Sequence, residues 1–180
     1  MTRWAPAKRD VMEALAAEIA HNYGRGRVIV AVDGSTTAWF ADDLRVALEQ
    51  AGHVTFRAST ADFRRPIEER RAGEEHLDLS LFRRVLIEPF RMAGSTGFVL
   101  DAYDAERDVA VEPKWITAGP DAILVVDGPH LHRPELVGNW NYSLWLDDDT
   151  ETDQVARPAA VAIIDLRDPE HPRRVFADSC

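Results

Sequence analysis

A chain of 180 residues with 46% apolar side chains is long enough to bury one sizeable core, and that length favours one domain, residues 1–180, over two. No apolar run approaches the roughly 18 residues needed to cross a bilayer, and the charged start, residues 1–9, has no signal-peptide core behind it, so a cytoplasmic protein is expected. The formal charge of −10 opposes binding to nucleic acid or an anionic membrane, and the single cysteine, Cys180, excludes a disulfide framework, a thiolate metal cluster and an internal cysteine nucleophile.

In chain order, Val11, Leu15 and Ile19, with Met12, Ala16 and Tyr23 beside them, recur at helical spacing before Gly24 and predict an amphipathic helix over 9–23. The unbroken apolar run 28–32 has the character of a parallel strand covered on both faces, and it ends in Asp33-Gly34. Phe40, Leu44 and Leu48 repeat every four residues within 39–50, with Gly52 as a helix stop. Residues 54–58 read as a second strand. Asp78 is placed to cap a helix that carries Leu81, Phe82, Val85 and Leu86 as far as Pro89. Segments 98–103 and 109–112 flank a turn-like 104–107 and predict a hairpin. Three further strands are expected: 122–126 before Asp127-Gly128, 142–146 before Asp147-Asp148-Asp149, and 161–165.

Strands alternating with amphipathic helices imply right-handed βαβ units, hence an α/β fold with a mainly parallel sheet and helices on both faces. Ligands of such sheets bind beyond the carboxyl ends of the strands. That rule gathers Asp33-Gly34, residues 59–62, Asp127-Gly128 and residues 147–149 around one crevice.

An ordered set of segments then resembles the uridine-kinase-like branch of the P-loop nucleoside kinases, of the high-GC bacterial type. It comprises Val30-Ala31-Val32-Asp33-Gly34, Phe40-Ala41-Asp42-Asp43-Leu44, Asp62-Phe63-Arg64-Arg65-Pro66, residues 82–90, 120–128 and 131–135, and Trp145-Leu146-Asp147. The resemblance runs over about 28–149 and resumes over 161–175. It implies a P-loop NTPase-like three-layer fold and, for an active member, phosphoryl transfer from ATP and magnesium to a nucleoside.

Three parts of that chemistry are altered. A phosphate loop reads G-x-x-x-x-G-K-[ST], its amides cradling phosphate, its lysine neutralising the transferred group and its hydroxyl holding magnesium. Counting from Gly34 puts Trp39, Phe40 and Ala41 at the glycine, lysine and hydroxyl positions; counting back from Phe40 leaves only residues 35–39 where about eight are needed. The only lysines of the chain are Lys8 and Lys114. The resemblance further implies a base two residues before Phe63, where this chain has Ala61, with Asp62 one place off. It also implies a long arginine-bearing lid after residue 149, where the segment 150–159 carries Arg157 alone.

Other constellations are weaker. His130 and His132, with Asp127, have a spacing that suits a metal on one side of an extended segment, but two nearby histidines are more often incidental, and no metal ligand set is assigned. The acidic run 147–149 with Glu151 and Asp153 reads as a solvated strand end without EF-hand spacing. Trp39 stands where the fold would bind phosphate, and is expected to fill that space.

Two functions remain open. One is a catalytically impaired or repurposed homologue whose crevice binds a small metabolite or a protein partner, with no cofactor. The other is an ATP- and magnesium-dependent nucleoside-type kinase using Asp62 and Asp127 as base or metal partner and Asp33, Gly34, Ser35, Thr36 and Thr37 as a reduced phosphate loop. Arg64, Arg65 and Arg133 are the candidate substrate or phosphate ligands in either case, since a guanidinium binds phosphate in a planar fork.

Overall fold

A computed structural model describes residues 7–70, 76–149 and 156–176. Helix α1 (Lys8–Asn22) leads into β1 (Val28–Asp33), α2 (Ala38–Gln50) and β2 (Thr55–Ser59), which a 3-10 turn, Thr60–Phe63, closes. One helical stretch follows, built of α3 (Leu79–Phe82), a π-helical turn (Arg83–Ile87) and α4 (Glu88–Met92). Short strands β3 (Phe98–Val99), β4 (Tyr103–Asp104), β5 (Val109–Ala110) and β6 (Trp115–Ile116) precede β7 (Ile123–Gly128), β8 (Tyr142–Asp147), α5 (Ala156–Ala159), β9 (Ala162–Asp165) and β10 (Arg173–Val175).

The main sheet has the order β10-β9-β8-β1-β7-β2, parallel throughout except for β10. β1 and β7 are buried along their whole length, as their unbroken apolar runs require. Their residues alternate between two cores. Val28, Val30 and Val32 join Ile123 and Val125 under α1 and α2. Ile29, Ala31, Leu124 and Val126 meet Phe63, Phe82, Leu86, Phe90 and Phe98 on the opposite face. This is the expected three-layer α/β arrangement, and no helix of the described residues is long and apolar enough to cross a membrane.

Local sequence explains the departures. The Asp78 side chain accepts from Leu81 N at 2.9 Å and starts the third helix as expected. That helix passes through Pro89 because the wide turn before it has already abandoned i→i−4 bonding: Glu88 N–H reaches the Arg83 carbonyl. The expected hairpin is two nested pairings, β4 with β5 and, outside them, β3 with β6. At the amino end of β1, Arg27 donates to the carbonyls of Phe90, Gly94 and Ala118 at 3.0, 3.1 and 2.6 Å and lies over the Phe90 ring, pinning this unit to the sheet.

The chain leaves β1 toward β2 and leaves β7 toward β8, so adjacent central strands send their loops in opposite directions. A crevice opens at such a switch point.

Candidate functional site

The carboxyl ends of β7 and β2 and the N-cap of α2 enclose a cleft of about 720 Å³. Thr37 lines it from α2, Ser59, Thr60 and Ala61 from the end of β2, and Asp127 and Gly128 from the end of β7. Arg64 and His76, around the 64–77 bridge, and His130 and Arg133, after β7, complete its lining and bring two guanidinium groups to it. Gly128 is required by close approach: at φ 148° an added Cβ would stand 1.9 Å from Thr60 Oγ1.

Asp127 is the centre of the polar floor. Its Oδ2 accepts from Thr37 Oγ1 at 2.8 Å, and Oδ1 lies 3.0 Å from Arg57 Nη2. Thr37 therefore spends its hydroxyl on Asp127 and not on capping its own helix. Arg57 also reaches Asp42 Oδ1, 2.7 Å from Nε, and donates to the Ala38 carbonyl at 3.2 Å. Neither carboxylate contact is aligned as a hydrogen bond, so Arg57 acts on both by charge. Burial pushes the Asp127 carboxyl above the usual carboxylate range, against the lowering pull of Arg57 and of the Thr37 and Ser59 hydroxyls.

Asp62 does not line the cleft; Ala61 does. Its carboxyl is raised by burial first, then by the charges of Asp101 and Asp127, which places the two candidate catalytic acids within each other's field. Arg64 and Arg133 reach the cleft as expected. Arg65 does not: it is exposed, and its backbone N–H pairs with the His76 carbonyl.

The expected phosphate loop is largely spent on itself. Asp33, fully buried, accepts from Gly34 N at 2.8 Å and from His132 N at 2.9 Å, and its Oδ2 lies 2.7 Å from His132 Nδ1. Ser35 and Thr36 turn their hydroxyls onto Asp148 at 2.5 and 3.4 Å. Of Asp33, Gly34, Ser35, Thr36 and Thr37, Thr37 alone lines the cleft.

The expectation that Trp39 fills the phosphate space is overturned. Trp39 packs into the α1–α2 core, with Lys8 Nζ 4.2 Å from its ring centroid, because its place on α2 turns it toward α1. Lys8 is held there by Asp43 at 2.5 Å. The two histidines also part: His130 is exposed at the cleft with φ 60°, while His132 is buried on Asp33. Among the described residues no group of three or more His, Cys, Asp or Glu is placed to hold a metal. Asp147 and Asp149 pair with Arg157 and Arg167 at 3.3 and 3.7 Å; Glu151, Asp153 and most of the shortened lid segment lie outside the described residues.

Sequence reading missed Arg57 and His76, whereas Ser59, Thr60 and Ala61 lie in the 59–62 segment expected at the crevice. A charged residue at the middle of an otherwise apolar-spaced strand was the available signal for Arg57; nothing local marked His76.

The overall fold is shared with solved kinases. A structure described as a possible uridine kinase from Bacillus stearothermophilus superposes with a TM-score of 0.66 at 19% identity, covering 77% of this chain and 80% of that one. A candidate fructose transport system kinase from Silicibacter sp. TM1040 gives 0.61 at 20% identity, covering 79% and 75%. The fold is that of the P-loop kinases. No protein-family model and no curated protein matches the sequence.

That fold implies ATP and magnesium, and the residues present do not fit them. The loop offers no lysine, its first two hydroxyls are committed to Asp148, and the Thr37–Asp127 pair already carries a guanidinium.

Proposed function

We propose that this chain is a nucleoside-kinase-like protein whose cleft binds a small anionic metabolite and no longer transfers phosphate. The observation that carries this reading is the pair of guanidinium residues Arg64 and Arg133, with His76 and His130, lining the cleft beside a loop that has turned its polar groups inward. A local basic cleft can hold an anion in a molecule of net charge −10, because low-dielectric walls focus the nearby charges. A volume of about 720 Å³ suits a small molecule better than a protein segment.

Thermal unfolding against inorganic phosphate, nucleoside monophosphates, sugar phosphates and dicarboxylates tests the reading. A ligand at a hundred times its dissociation constant adds about 2.7 kcal/mol. Stabilisation that Arg64→Ala and Arg133→Ala abolish is the expected result; no stabilisation by any anion overturns it.

The competing reading is an ATP-dependent kinase. On its side stands the Asp62 carboxyl, raised by burial and then by the charges of Asp101 and Asp127, since a base with an elevated pKa works closer to neutral pH. Calorimetry with Mg-ATP and a coupled assay with uridine, cytidine and fructose decide between them. Micromolar ATP binding with turnover abolished by Asp127→Ala restores the kinase.

A further inference from the structure

In kinases of this fold a loop hydroxyl and a strand-end aspartate hold magnesium between them. Thr37 and Asp127 stand in that relation here, yet the buried Asp127 oxygen not bonded to Thr37 faces Arg57 at 3.0 Å. We propose that the Arg57 guanidinium is a built-in cation that takes the place of a divalent metal at the Thr37–Asp127 corner, so that ligand binding in the cleft is independent of metal.

Arg57 reaches this corner through sheet register. Ser59 pairs with Asp127 and Arg57 with Val125, so the side chains of Arg57 and Asp127 leave the sheet on the same face, toward α2. Three contacts fix it there: Asp42 and Asp127 by charge and the Ala38 carbonyl by a hydrogen bond. A guanidinium so held does not swing aside to admit a second cation, and a divalent ion brought to Asp127 Oδ1 would sit against like charge. Magnesium further demands an octahedral set of oxygens, and the guanidinium covers one side of the only Asp127 oxygen left to it. The tethered cation neutralises the buried carboxylate without any ion being dehydrated.

Removing the guanidinium reverses the situation. Arg57→Met keeps an unbranched stem and leaves Asp127, Asp42 and the Thr37 hydroxyl as hard oxygen donors, the set that Mn²⁺ and Mg²⁺ prefer. The proposal rests on the cleft having left phosphoryl transfer behind. Its test uses the metal alone, so a failed anion panel leaves it standing.

Mn²⁺ is titrated at pH about 7.5, free ion being read by electron paramagnetic resonance, into the wild type, Arg57→Met and Arg57→Met/Asp127→Asn. We expect Arg57→Met to bind Mn²⁺ at least about tenfold more tightly than the wild type, and the double variant to lose the gain. Equal binding by the wild type and Arg57→Met overturns the proposal. Should Arg57→Met fail to fold, wild type against Asp127→Asn decides alone: identical titrations support the built-in cation, and weaker binding by Asp127→Asn overturns it.

Discussion

β1 and β7 lie side by side and end in the same dipeptide, Asp-Gly, yet the two aspartates do opposite things. Asp33 is fully buried and spends both oxygens on Gly34 and His132. Asp127 is nearly as buried but forms the floor of the cleft with Thr37 and Arg57. The cause is one step of register. Asp33 pairs with Gly128 and Asp127 with Val32, so the carboxylates leave the sheet on opposite faces. Asp127 points with Val30 and Val32 toward α2 and its N-cap Thr37. Asp33 points with Ile29 and Ala31 to the face where Leu131 docks and brings its neighbour His132. One aspartate ties a loop down; the other floors the cleft.

The largest effect should come from the structural aspartate. Asp33→Ala strands three buried donor contacts, and leaving a buried donor without an acceptor costs about 1–3 kcal/mol each. Urea unfolding should show that loss, and His132→Ala combined with Asp33→Ala should cost clearly less than the sum of the two, because the groups act as one unit. Additive losses would separate them.

The glycines sharpen the contrast. Gly34→Ala and Gly128→Ala should each cost on the order of 2 kcal/mol, from positive φ and a blocked Cβ. At Gly34 the obstacle is the Leu146 carbonyl, 2.8 Å from an added Cβ; at Gly128 it is the Thr60 side chain, at 1.9 Å. Thr60→Ala should therefore recover part of the Gly128→Ala loss and none of the Gly34→Ala loss, which paired melting curves would read directly.

Asp127→Asn should show its effect in pH dependence. Burial raises the native carboxyl, so the native state holds its proton to higher pH than the unfolded chain. The associated stability is present below the unfolded carboxylate value and lost as pH rises through the raised native value. The asparagine variant lacks this loss, so its stability relative to wild type should climb from acid to neutral pH. A difference that is flat with pH would mean that Arg57 fully offsets burial.

The smallest effect belongs to His130, held at φ 60° on the cleft rim. His130→Gly should relieve strain worth about 1 kcal/mol and raise the melting temperature slightly, while weakening anion binding. Loss of stability instead would show that the imidazole packs and does not merely line the cleft.

Much of this molecule was legible in its order of residues. Unbroken apolar runs at 28–32 and 122–126 can be satisfied only by burial on both faces, and the four-residue spacing of Phe40, Leu44 and Leu48 only by a helix laid on a sheet. These patterns are local, so they fixed the α/β class and set Asp33 and Asp127 at the ends of buried strands. What a side chain does at a strand end is not local. Whether Asp33 or Asp127 meets the cleft, whether Trp39 plugs a pocket or packs on α1, and whether Arg57 is a surface charge or the partner of a buried aspartate all depend on which residues pair across strands from distant parts of the chain. A shift of one residue in that pairing turns every side chain of a strand to the other face, and it is settled only when the helices of both layers compete for the sheet.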